Sequence, residues 1–227
     1  MYWSVNSNTS AMLSDMAVHA EVTPNRRGKR SRELVLDAAE RVMARDGFDA
    51  ATVARVVAES GIPESSVYHY YGTKDGILLA VMERGAERFF ADVPEPDRRT
   101  GRPSEHLRGA VSAAVEALER HPNFLRLLIV FAVQPPEAAN GDVAAVVGQV
   151  RDAARERLRK QIAIAFDDDP DSATTDELAR FALAAFDGAF LASRSDPGVT
   201  LRQCIEPLTA ALVAARRQAR AKRSAGT

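Results

Sequence analysis

The chain has 227 residues, 46% of them hydrophobic, which is enough to bury a substantial core, and its 30 Lys and Arg stand against 31 Asp and Glu for a formal charge of −1. No overall basic field marks a polyanionic partner, so any nucleic-acid affinity has to come from local placement of charge. One cysteine, Cys204, excludes an intramolecular disulfide and a cysteine-clustered metal centre and suits a reducing compartment, and the best apolar run, Leu127 to Val133, is far short of the roughly 20 residues of a membrane span.

The first twenty-odd residues have no basic n-region, and Asp15 interrupts their mildly apolar part, so they read as a disordered leader over 1–25 rather than as a secretory signal. A basic stretch, Arg26-Arg27-Gly28-Lys29-Arg30-Ser31-Arg32, precedes apolar positions Leu34, Ala38 and Val42, whose spacing predicts a first helix that stops near Asp46-Gly47. Thr52 can cap a short second helix with Val53, Val56 and Val57 inward. Gly61-Ile62-Pro63 ends it after about two turns, and a third short helix is expected over Glu64 to Tyr71. From Thr73 a longer helix should run through Ile77, Val81 and Phe89 to a linker marked by Pro94, Pro96, Gly101 and Pro103. Beyond it, helices are predicted near 104–120, 123–133, 142–166, 175–193 and 200–219, with capping-box spacing at Thr174 to Glu177 and at Thr200 to Gln203, and Pro207 should kink the last of them or delay its regular part. Strand periodicity is nearly absent, so the fold class is all-α.

Two short helices across a tight glycine turn form the unit that places its second helix in a DNA major groove. The local string sharpens this. Ala38-Ala39, Gly47-Phe48, Thr52, Gly61 and the series Tyr68, Tyr71, Lys74 are spaced as in the TetR family of bacterial regulators, which the head resembles over about residues 32 to 80. The resemblance implies a three-helix DNA-binding head with its basic arm over 26–74, a helical ligand-binding and dimerisation domain over 75–221, and a short disordered tail over 222–227. Two positions depart from the family pattern: Pro63 stands where a Ser or Thr is usual, and Ser65 where a Gly or small residue is usual.

Ser65, Ser66, Tyr68 and His69 offer donors to phosphates and base edges, Lys74 adds a point charge, and Thr52 with the free N–H groups of its helix can hold a phosphate. Tyr71 is expected to pack inside, as the matching family position does. Glu64 suits the start of a helix and repels phosphate unless it accepts from a cytosine amino group, so it is either a specificity residue or a solvated cap. Arg30 and Arg32 belong to a charge run that is either a solvated tail or an arm entering the neighbouring minor groove.

One head reads too few base pairs to be specific, which calls for a homodimer on double-stranded DNA. The resemblance implies pairing through the last two helices, where Phe181, Ala185 and Ala189 with Ile205, Leu208 and Leu212 form apolar stripes that internal packing would equally explain. Phe89, Phe124, Leu127, Leu128, Phe131, Val147 and Phe186 are each either plain core or part of the apolar cavity in which family members hold effectors, with His106, Arg126 or Gln134 as polar contacts. The expected protein is a cytoplasmic regulator, a repressor released by a hydrophobic small molecule, with activation or ligand-independent binding as the alternative, and with neither cofactor nor membrane partner. Catalytic signatures such as a nucleophile elbow, His-Glu-x-x-His or a phosphate-cradling glycine loop are absent. The Asp167-Asp168-Asp169-Pro170-Asp171 run lacks the Gly at Ser172 and the Glu at Leu178 that a calcium loop requires, and reads as an acidic loop.

Overall fold

Apolar residues at helical spacing fold into helices throughout the computed structural model, which describes residues 26–95, 101–134 and 141–225. In chain order they are α1 (Arg26–Asp46), α2 (Val53–Ser60), α3 (Glu64–Tyr71), α4 (Lys74–Asp92), α5 (Pro103–Arg120), α6 (Pro122–Val133), α7 (Asp142–Phe166), α8 (Ala173–Ser195), α9 (Leu201–Ile205) and α10 (Leu208–Ala225). The leader lies outside the described residues. The basic stretch expected as a flexible arm is helical from Arg26, because Arg and Lys are good helix formers and the Tyr71 hydroxyl, bonded to the Arg32 carbonyl (3.0 Å), holds this end against α3. At the other terminus α10 continues to Ala225, past the expected start of the tail.

Two further differences have local causes. Ser172, not Thr174, caps α8: its Oγ accepts from the Thr175 N–H (3.2 Å), while Thr174 and Thr175 are buried in the first turn. Thr200 caps α9 with the expected box to Gln203. Glu206-Pro207 then interrupts the helix outright, since proline supplies no N–H and crowds the preceding turn, so one predicted helix becomes α9 and α10.

α1 is the post around which the head is built, burying Val35, Ala38, Ala39, Val42 and Met43 against α2, α4 and α6. The buried apolar cluster continues without a break into the body, where α7 and α8 pack side by side and α9 and α10 lie against α8 and α5. An edge-to-face contact between Phe48 and Phe131 (centroids 6.2 Å apart) ties the turn after α1 to α6. Polar joints fix the register. Arg84 on α4, 7% exposed, donates to Glu33 (3.0 Å), Asp37 (2.8 Å) and Glu40 (3.1 Å) on α1, and Arg88 adds a second bond to Glu33 (2.7 Å). The acidic loop has a similar tying role: Asp168 pairs with Arg216 of α10 and Asp171 with Arg159 of α7.

Candidate nucleic-acid interface and effector cavity

The head's geometry follows from its caps. Thr52 Oγ1 accepts from the Arg55 N–H (3.3 Å) to start α2. Gly61 ends it at φ +70°, a left-handed backbone that glycine adopts without Cβ strain, with its N–H on the Val57 carbonyl (2.9 Å). Pro63 supplies no side-chain cap to α3, but its carbonyl accepts from the Ser66 (2.9 Å) and Val67 (3.1 Å) N–H groups. The unusual proline therefore leaves the turn intact.

α3 buries Val67 completely and half-buries Tyr70 and Tyr71. That orientation leaves Glu64, Ser65, Tyr68 and His69 exposed on one face, at positions one and four apart. Tyr68 is 47% exposed, an unusual placement for a large aromatic with nothing to cover it. Ser66 is half-buried behind this face. Tyr71 packs as expected, and burial pushes its phenol up to about 12.

The cations sort into two groups. Arg41 and Arg45 pair with Glu59 (2.7 and 3.4 Å) and Arg55 with Asp46 (2.9 Å), so those charges are neutralised where they stand. The Asp46 and Glu59 carboxyls are held below the usual range chiefly by hydrogen bonds from Arg45 and Arg41 respectively. Lys29 and Arg30 are exposed and pair with no carboxylate among the described residues, and the Arg32 guanidinium lies over the Tyr70 ring (5.2 Å). Arg32 thus keeps the basic start of α1 beside α3. Lys74, expected to add a point charge toward phosphate, is half-buried at the start of α4. It donates to the Asp49 carbonyl (3.1 Å) and sits over Phe48 (4.1 Å), so it secures the turn after α1 at the foot of α4.

In the body, a cavity of about 140 Å³ lies among α4, α5, α6, α7, α8 and α10. Of the seven residues expected to line it, Phe89, Leu128 and Phe186 do. Phe124, Leu127, Phe131 and Val147 are buried but do not border it: Phe124 fills the space above Gly85, and Phe131 is taken up by Phe48. His106 reaches it only through Gln161, donating to its Oε1 (2.9 Å), while Arg126 and Gln134 are exposed elsewhere. Sequence reasoning missed Arg151 and Arg157 on the wall. They sit in a run of charges on α7 that reads as solvated, and no local signal marks them.

The residues assigned to a dimer contact also divide. Phe181 is 47% exposed, Ala185 is half-buried, and Ala189, Ile205, Leu208 and Leu212 are buried within the chain, the last two on the cavity wall. The open stripe on α8 is Phe181, Ala184, Gly188 and Leu191 instead.

A sequence profile described as "Bacterial regulatory proteins, tetR family" matches residues 35–81, which contain α2, α3 and the α1 and α4 segments that carry them. The HTH-type transcriptional activator FasR of Mycolicibacterium smegmatis is 28% identical over 146 residues, 58% of this chain and 67% of its own. The HTH-type transcriptional regulator BetI of Brucella canis is 26% identical over 162 residues, 71% of this chain and 78% of its own. The crystal structure of a tetR-family transcriptional regulator from Streptomyces coelicolor superposes with a TM-score of 0.68 at 18% identity, covering 86% of this chain and 83% of that one. Together these matches support the TetR family for this chain, the profile over its head and the relatives and superposition over more of its length. The chain is a helix-turn-helix DNA-binding transcriptional regulator. Among its described residues no helix is long and apolar enough to cross a membrane.

Proposed function

We propose that the chain is a cytoplasmic repressor that binds a palindromic operator as a homodimer and lets go when a hydrophobic small molecule occupies the cavity. The observation that carries this reading is the path of α4. One continuous helix begins at Lys74 against the DNA-binding head, is clamped to α1 through Arg84, and ends with Phe89 and Phe90 on the cavity wall. A ligand that favours one position of Phe89 and Phe90 favours one position of the head, which is all that release by population shift requires.

In this reading Ser65, Tyr68 and His69 meet base edges and phosphates, Glu64 reads a cytosine amino group or stays solvated, and Thr52, Lys29 and Arg30 hold the backbone. Arg32 and Lys74 act by placing α3 and the turn after α1. The dimer forms through the open stripe of α8, where Gly188 and Ala184 permit close approach between the Phe181 and Leu191 side chains of the two copies.

The test is selection of retained sequences from a random duplex library at controlled salt, followed by release with cavity ligands. A recovered palindrome supports the reading, and a set with no two-fold symmetry overturns the dimer. Because FasR is named an activator, activation is the second reading. A reporter placed behind the recovered site decides between them: removing the protein raises expression under repression and lowers it under activation.

A further inference from the structure

The cavity wall is apolar except along one side, where α7 presents Arg151, Arg157 and Gln161 beside Asp187 of α8. Two of these are satisfied inside the protein. Arg151 donates to both carboxylate oxygens of Asp187 (2.7 and 3.4 Å), and Gln161 Oε1 accepts from His106 (2.9 Å). Arg157 is not. One terminal nitrogen pairs with Glu95, but the other, Nη1, is buried with no hydrogen-bond partner. A buried guanidinium donor without an acceptor has given up its hydration with nothing in return, and such a group points to a partner that arrives later.

The charges say what kind of partner. Asp187 already neutralises Arg151 in the wall. Glu95 is 73% exposed beyond the end of α4, so water screens its hold on Arg157, whose own side chain is 18% exposed and lies over the Phe90 ring (4.6 Å). The net field on the cavity at this point is therefore positive. A cationic head group would be repelled, and a neutral hydroxyl would accept only weakly, whereas a carboxylate would form a charge-assisted hydrogen bond. The cavity's size, about 140 Å³, resembles the roughly 150 Å³ cavity that accommodates benzene in an engineered protein, which favours a single ring or a medium-length chain.

We infer that the effector is an amphipathic acid, its apolar body among Phe89, Leu128 and Phe186 and its anionic head on the Arg157 guanidinium, whose Nη1 has no partner. This rests on the reading of the cavity as the effector site. The link to DNA release is direct, because Phe90, the ring under the Arg157 guanidinium, is on α4.

The experiment is calorimetric titration of the full chain with octanoate, octanol and octylamine, repeated on Arg157→Met and Arg157→Gln. Octanoate should bind roughly tenfold or more tightly than octanol, with octylamine weakest. In Arg157→Met the octanoate advantage should vanish while octanol binds as before, which also shows that the variant is folded; Arg157→Gln should fall between. If octanoate and octanol bind the unmodified chain alike, or the preference survives in Arg157→Met, the acid assignment is wrong and the cavity reading stands. If none of the three binds, both readings fall together.

Discussion

At its N-terminal end α4 is held by directed polar contacts: the Thr73 cap on Gly76 (3.0 Å), Lys74 on the Asp49 carbonyl, and Arg84 among three carboxylates of α1. At its C-terminal end it is held mostly by the apolar contacts of Phe89, Phe90 and Val93 around a void. Directed bonds have one good geometry, so the first half of the helix and the head move as a body. Dispersion contacts vary little with small displacements, so the second half can adjust to what fills the void. On the proposed reading, the protein is stiff where it would present α3 and compliant where it would meet an effector.

The sharpest way to break this contrast is to remove the clamp. Arg84→Ala leaves Glu33, Asp37 and Glu40 crowded together with only Arg88 to offset them, and should destabilise the protein by about 3 kcal/mol in urea unfolding. Operator affinity should fall with it, because α4 no longer fixes α1. A loss below about 1 kcal/mol would mean that Arg88 alone is enough and that the clamp is not the stiff element.

The compliant end is tested one residue further on. A Cβ at Gly85 would stand 2.2 Å from Phe124 Cδ2, so Gly85→Ala must push a fully buried ring that packs on Phe89 (centroids 6.1 Å apart). Overpacking of this kind should cost about 2 kcal/mol, partly offset by the better helix propensity of alanine. Because the displaced ring lies behind Phe89, binding of cavity ligands should weaken more than DNA binding does. Equal weakening of both would say that the two halves of α4 are not mechanically distinct.

The same contrast explains what the sequence made legible. Thr52, Gly61 and Thr200 announce helix ends through bonds to residues three or four away, so caps and turns could be placed from the string alone. Adjacent hydroxyls defeat even that rule: the spacing from Thr174 to Glu177 fits a capping box, yet Ser172 is the cap, and the bond from the Thr175 hydroxyl to the Asp169 carbonyl (3.0 Å) is a contact across the loop. Stripes are harder. Periodicity at Ile205, Leu208 and Leu212 says that a face is buried, not whether this chain or a second copy buries it, and here this chain does. The cavity was least legible. Whether Phe124 or Leu128 borders a void depends on where six helices leave a gap, and an arginine in a charged run such as Arg157 looks solvated until the fold encloses it.

On the stiff side, Tyr71→Phe removes only the hydrogen bond to the Arg32 carbonyl and should cost about 1 kcal/mol. It also has an optical signature. Burial raises the folded phenol to about 12, so the neutral form stabilises the fold fully below the ordinary value near 10, and that contribution is lost as the pH rises from there toward 12. Ultraviolet titration should find a late phenolate that is absent in Tyr71→Phe. A late phenolate that persists in the variant would place the buried ring elsewhere.

The smallest effect belongs to the compliant end, at Asp92. This carboxylate closes α4 against the helix dipole and is tolerated because His121 (2.8 Å) and Arg120 (3.0 Å) reach it, the histidine bond first and the arginine second in holding it below the usual carboxylate range. A folded-state value lowered in this way stabilises the fold above the ordinary carboxylate range and ceases to do so as the pH falls through the lowered value. Asp92→Asn should therefore flatten the acid limb of the stability curve and leave the neutral region almost unchanged, with the difference shrinking in high salt because the pair is exposed. The His121 ring also meets Phe89 edge-on (6.1 Å), so the variant should loosen that side of the cavity wall as well. If the acid limb is unchanged but ligand affinity shifts, the histidine matters as a packing surface for Phe89 rather than as a partner for charge. The C-terminal end of α4 would then be apolar in its energetics throughout, as the contrast requires.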